Sequence, residues 1–146
     1  MDTDAPETRA ALAALAREAS ASAHAPYSGI QVGAAIRSAA GATYTGTNVE
    51  NAAYPLGNCA EASAIAAGVH AEGAGFRIAE TAVWAIDREG HAIAISPCGG
   101  CRQRIREFAV DGSVKVHFPW RDGSIWTASV DELLPYAFEL PDSGAP

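Results

Sequence analysis

Cys59-Ala60-Glu61 places a thiol and a carboxylate two residues apart, and Cys98-Gly99-Gly100-Cys101 supplies the remaining two of three cysteines at a spacing typical of zinc ligands. If both segments meet, three sulfurs can hold one zinc and leave the fourth tetrahedral position open to water, the arrangement of a catalytic site. Glu61 is then better employed beside the metal than on it, as a proton shuttle. Zinc in a neutral-ligand site lowers the pKa of bound water toward about 7; three thiolates leave the centre negative, and a general base must do more.

Each residue also has a plainer role. Glu61 three positions after Asn58 matches a capping box, and Cys59 alone reads as a buried apolar side chain. Cys98 and Cys101 could be a redox pair or half of a structural zinc site. The redox pair leaves Cys59 without a role and the closed site lacks a fourth ligand, so only the catalytic arrangement uses all four residues. His24, His70, His91 and His117 show no ligand spacing and read as surface or local structural residues, while Trp84, Trp120 and Trp126 read as packing groups.

The elements that must position these groups follow from periodicity. Asp4 to Ala23 carries Leu12, Leu15, Ala16, Ala19 and Ala23 at helical spacing, with Asp4 as cap. Ile30 to Arg37 reads as a strand with Val32, Ala34 and Ile36 on one side and the small Gly33 and Ala35 on the other, forming a hairpin with Thr43 to Thr47. Asn48 to Gly57 reads as a surface loop into a helix over Cys59 to Ala71, capped by Asn58. Ala82 to Ile86 reads as a buried strand. Ser96 and Pro97 suit the cap and first position of a helix reaching about Phe108, with Cys98 and Cys101 one turn apart on it. Val114 to Phe118 and Ile125 to Thr127 read as strands, Val130 to Leu134 as a helical turn, and residues 141–146 as a polar tail. Helices alternating with strands after a hairpin predict one domain over residues 1–146, with a sheet covered on both faces.

Composition narrows the function. A chain of 146 residues needs no disulfide framework to fold. The odd cysteine count and the lack of a basic segment leading into an apolar run at the N-terminus predict a reduced, cytoplasmic protein. No apolar run approaches the roughly 20 residues of a membrane span. A formal charge of −7 opposes polynucleotide binding.

The chain resembles the small, homotetrameric, three-cysteine cytidine deaminases. The resemblance rests on Pro26-Tyr27-Ser28, Val32-Gly33-Ala34-Ala35, Asn48-Val49-Glu50-Asn51-Ala52, Cys59-Ala60-Glu61, Ser96-Pro97-Cys98-Gly99 with Cys101-Arg102-Gln103, and Leu133-Leu134-Pro135 with Phe138, in the family order. It implies a three-layer α/β/α sandwich around a mixed five-stranded sheet. It also implies one Zn2+ per subunit on Cys59, Cys98 and Cys101, with Glu61 shuttling protons while water replaces the C4 amine of cytidine or deoxycytidine in pyrimidine salvage. Asn48 and Glu50 would hold the ribose, backbone at Ala60 would contact the pyrimidine, Ser96 would lie among the substrate contacts, and Tyr54 and Phe138 would reach or line a neighbouring subunit's pocket.

Two positions depart from the family pattern. Ala62 stands where arginine usually relieves the charge of the thiolates, a role for which Arg102, Arg104, Arg106 or the helix termini are candidates. Ile30 stands where phenylalanine usually meets the base, leaving room for a modified pyrimidine. A deaminase of another aminopyrimidine nucleoside, such as blasticidin S, and a noncatalytic zinc protein are the alternative functions.

Overall fold

The computed structural model describes residues 6–141. Its elements run α1 (Pro6–Ser20), β1 (Gln31–Ser38), β2 (Thr43–Thr47), α2 (Ala60–Glu72), β3 (Ile78–Ile86), α3 (Gly99–Phe108), β4 (Lys115–Pro119), β5 (Ile125–Ser129) and α4 (Val130–Leu133). The five strands form one mixed sheet in the order β2-β1-β3-β4-β5. Only β3 and β4 are parallel; β1–β2, β1–β3 and β4–β5 are antiparallel.

Strand alternation sends Ala34 and Ile36 into a core shared with α2 and α3, alongside Ala60, Ala64, Ile78, Ile105 and Val116. Ala35 and Ala82 point the other way, against Leu12, Ala13 and Ala16 of α1. The expected α/β/α layering is present, and the two sides read from β1 fall on the expected faces. Two glycines set how closely the layers approach. A Cβ on Gly33 would stand 1.9 Å from the Ala16 carbonyl oxygen, and one on Gly46 would stand 2.7 Å from that of Ala60. Their partners in the β1–β2 ladder, Thr47 and Ala34, keep the two glycines on opposite faces, so α1 and α2 clamp the hairpin from either side.

Element boundaries shift in ways that matter for the site. The cap expected at Asp4 lies outside the described residues, as does the tail beyond Pro141. Helix α2 is capped by Cys59 rather than Asn58, whose Nδ2 donates instead to Ser63 Oγ at 3.2 Å. The capping box weighed as the plainer role of Asn58 and Glu61 is not formed. Helix α3 begins at Gly99 with Cys98 as its cap, so Ser96 and Pro97 precede it. Arg102 holds them there, donating from Nε to the Pro97 carbonyl and from Nη2 to Ser96 Oγ, each at 2.8 Å. Strand β3 begins at Ile78, four residues before the expected start, because Ile78 and Glu80 pair with Ser38 and Arg37. The helical turn α4 carries a full capping box between Ser129 and Glu132.

Candidate metal centre and substrate cavity

Each arm of the site is carried to one place by a different device. The loop between β2 and α2 is closed by reciprocal backbone bonds between Val49 and Asn58, both 2.9 Å. Ser63 Oγ ties the first turn of α2 to the Thr47 carbonyl at 2.9 Å, fixing Cys59 at the end of β2. On the other arm, the parallel pairing of β3 and β4 ends at Ala82 and His117. The segment before α3 inserts between the two strands, Ile93 N donating to Ala85 O at 2.9 Å and Ile95 N to Pro119 O at 3.2 Å. That insertion delivers Cys98 to Cys59.

Cys59 and Cys98 are therefore both helix caps, with extended backbone (ψ 154° and 165°) at the N-termini of α2 and α3. Cys101 sits in the first turn of α3 and is fully buried. The ligand atoms of the three lie within 4.8 Å of one another. Tetrahedral zinc with Zn–S bonds of about 2.3 Å sets its sulfurs about 3.8 Å apart, so the donor set fits this metal in both chemistry and spacing. Partial positive charge at two helix N-termini favours thiolates there.

The thiols do not share one electrostatic environment. Burial pushes Cys59 up, and burial together with the Glu61 and Cys59 charges pushes Cys101 far above the ordinary thiol range. Burial also works against ionisation of Cys98, but the backbone N–H of Cys101 and the thiols of Cys101 and Cys59 outweigh it and hold Cys98 below its usual value. Glu61, only 4% exposed, is raised by burial, opposed in part by its own backbone N–H, the Cys101 thiol and the Arg104 guanidinium. A carboxyl raised toward neutrality is suited to both taking and giving a proton.

In front of the sulfurs lies a cavity of about 610 Å³, within the range of small-molecule sites. Asn48, Glu50, Tyr54, Ala60, Glu61 and Ser96 line it together with Cys59 and Cys98. Of the expected residues, Cys101 lies behind this wall, and Ile30 and Phe138 are not part of it within one chain. Phe138 is 70% exposed, and its carbonyl accepts from Gln103 Nε2 at 2.9 Å.

The polar wall is preorganised by the protein itself. Glu50 Oε1 accepts the backbone N–H of Tyr27 at 2.9 Å and of Ser28 at 3.1 Å. Hydrogen bonds from Ser28, side chain and backbone, lead the effects that hold the Glu50 carboxyl below its usual value. Asn48 clamps the start of β1, its Oδ1 accepting from Val32 N at 2.8 Å and its Nδ2 donating to Ile30 O at 2.9 Å. Tyr27 and Val32 also line the cavity, and Tyr27 meets Tyr54 edge-on at 6.2 Å. Their lining role has no local signal; it depends on contacts across 23 positions for Tyr27 and 16 for Val32.

Residues 6–117 match the family model for the cytidine and deoxycytidylate deaminase zinc-binding region. A cytidine deaminase of Sporosarcina psychrophila is 40% identical over 131 residues, covering 90% of this chain and 91% of that protein. A cytidine deaminase of Mycobacterium tuberculosis H37Rv is 37% identical over 127 residues, covering 87% and 86%. The crystal structure of cytidine deaminase from Burkholderia pseudomallei superposes with a TM-score of 0.76 at 36% identity, covering 88% of this chain and 98% of that one. With a match of this length joined to three clustered thiols and a buried glutamate, the chain belongs to the cytidine deaminase family.

Proposed function

We propose that the protein catalyses hydrolytic deamination of cytidine and deoxycytidine to uridine and deoxyuridine, with release of ammonia, as a step of pyrimidine salvage. The observation that carries this reading is a carboxyl only 4% exposed beside three mutually close sulfurs, at one wall of a nucleoside-sized cavity. Family membership and cytidine deaminases among the relatives support the substrate class.

Cys59, Cys98 and Cys101 would hold one Zn2+ per chain, and bound zinc supplies Lewis-acid activation of water. Glu61 accepts a proton from the attacking water and delivers it to ring N3 as the C4–O bond forms. It then carries a second proton to the amine, so that the C4–N bond breaks with ammonia rather than amide as the leaving group. The balance is one water consumed and one ammonia released. Burial of Glu61 matches both halves of this cycle, because the raised carboxyl holds a proton without binding it irreversibly.

Asn48 and Glu50 would orient the ribose. Glu50 Oε1 stays anchored to Tyr27 and Ser28 while the second carboxylate oxygen has lone-pair capacity to accept from a sugar hydroxyl, and one Asn48 Nδ2 hydrogen remains beyond its bond to Ile30. The backbone at Ala60 and the Ser96 side chain complete the base end of the cavity. Tyr54, 77% exposed, and Phe138, 70% exposed, suit contacts across subunits of a homotetramer in which neighbouring chains complete each pocket.

The decisive experiment follows the fall in cytidine absorbance with purified, zinc-loaded protein beside the Glu61→Gln variant and a chelated sample. Turnover by the wild type, lost in the other two, is the expected outcome. Absence of ammonia release from every cytosine nucleoside by the fully loaded wild type refutes the assignment.

A further inference from the structure

The proposed zinc site is built from three sulfurs, and three thiolates around Zn2+ leave one net negative charge for the protein to offset. The helix of Cys59 provides no side-chain cation at the site: its third position, directly after Glu61, is Ala62. On the helix of the other two cysteines, three arginines alternate along α3, and their partners separate them. Arg102 is committed to the Pro97 carbonyl, the Leu133 carbonyl and Ser96 Oγ, each at 2.8 Å. Arg106 pairs with Glu139. Arg104 stands one turn beyond Cys101, and its Nη1 lies 3.9 Å from Cys101 Sγ, the reach of an N–H···S contact.

The backbone accommodates this contact. Arg104 Nη1 passes over Gly100, where a Cβ would come within 3.1 Å of it, and glycine leaves that path open. Cys101 is fully buried, so its sulfur meets no water and a single fixed donor counts for more than it would in solvent.

We propose that Arg104 is a positioning residue of the metal centre, a side chain that donates to the Cys101 sulfur and offsets the excess negative charge of the thiolate set. Positive charge therefore enters the site from the helix of Cys101 rather than from the helix of Cys59. This rests on the zinc-deaminase reading above. Its effect passes through sulfur: an N–H···S bond draws electron density from the thiolate, leaves the metal a stronger Lewis acid, and orients the ligand as other outer partners of metal sites do.

The test uses cobalt(II)-substituted protein, whose sulfur-to-metal charge-transfer band reports thiolate electron density, with Arg104→Met to keep the side-chain stem and remove the donor. The band is expected to move to longer wavelength in Arg104→Met and to stay at the wild-type position in Arg104→Lys, which retains a charged donor. In the zinc enzymes, kcat is expected to fall about tenfold in Arg104→Met with KM changed less than twofold, and to recover in Arg104→Lys. Superposable cobalt spectra for wild type and Arg104→Met overturn the proposal, as does a lysine variant that behaves like methionine in both measurements. The spectra judge Arg104 without reference to substrate, whereas a loaded wild type that deaminates no cytosine nucleoside refutes the reaction. Far-ultraviolet circular dichroism confirms that the variants compared are folded.

Discussion

Gly46 in β2 and Ala60 at the start of α2 are in backbone-to-backbone contact: a Cβ on Gly46 would meet the Ala60 carbonyl oxygen at 2.7 Å and the Ala64 amide nitrogen at 2.3 Å. Ala60 follows Cys59 directly, so the sheet itself sets the height of one proposed ligand.

Gly46→Ala therefore has no side chain to push aside, only the helix. The expected outcome is a loss of about 1–3 kcal/mol in stability, as for other overpacked positions, together with zinc content below one per chain. Urea denaturation and metal analysis check it; a variant as stable and as zinc-replete as wild type contradicts the close approach.

Asn48 has two jobs, and its substitution is expected to affect both. Asn48→Ala removes the acceptor for Val32 N and the donor to Ile30 O, costing about 0.5–1.5 kcal/mol, the net worth of an ordinary hydrogen bond, because the groups released are only partly buried or exposed. KM for cytidine is expected to rise at the same time. Thermal denaturation and steady-state kinetics separate the effects, and a rise in KM with unchanged stability would show that the clamp contributes nothing.

Glu61 carries a pH signature in the metal-free protein. Burial raises its carboxyl above the ordinary value, so the folded chain binds this proton more tightly than the unfolded chain. Its contribution to stability is then most favourable below the unfolded carboxylate's pKa of about 4.3 and is lost as the pH rises through the folded value. Metal-free Glu61→Gln is expected to melt about 2–4 °C above metal-free wild type at pH 7, with the gap closing toward pH 4. A calorimetric series over that range measures it; a gap that widens on acidification reverses the sign and sinks the argument.

Beneath α1, away from the site, Glu80 is fully buried between Arg37, with which it forms an ion pair, and His117, whose Nε2 lies 2.6 Å from Glu80 Oε1. His117 Nδ1 lies 2.8 Å from Thr127 Oγ1, so one polar chain crosses β1, β3, β4 and β5. Glu80→Ala strips the buried charge partner from Arg37 and is expected to cost about 3–5 kcal/mol. Chemical denaturation gives the value, and a loss below 1 kcal/mol would mean that the pair is not buried in solution.

Glu80 and His117 also mark a limit of sequence reading. His117 sits in an apolar strand with no ligand spacing, and its structural role is legible; its partner is not, because Glu80 lies 37 positions away and precedes the strand boundary that alternation alone suggests. The caps fall elsewhere than local chemistry predicts for a related reason. Asn58 and Ser96 have the right chemistry for caps, but Ser63 and Arg102 engage their side chains, leaving Cys59 and Cys98 at the helix ends. The shift is only one or two residues, yet it moves both cysteines from within a helix to the cap position at its N-terminus.

The inventory is legible from the chain alone: three thiols and a carboxylate at spacings that suit a catalytic metal, polar residues ahead of them, and the alternation of a sheet covered on both faces. These are legible because ligand type, helical period and strand period are local properties of the chain. Long-range packing supplies the rest: Cys59 meets Cys98 through an inserted segment between β3 and β4, Glu50 is anchored on Tyr27 and Ser28, and of the three arginines of α3 it is Arg104 that reaches sulfur. Each of these depends on which groups compete for the same partner once distant segments pack together, and competition of that kind has no signature in local spacing.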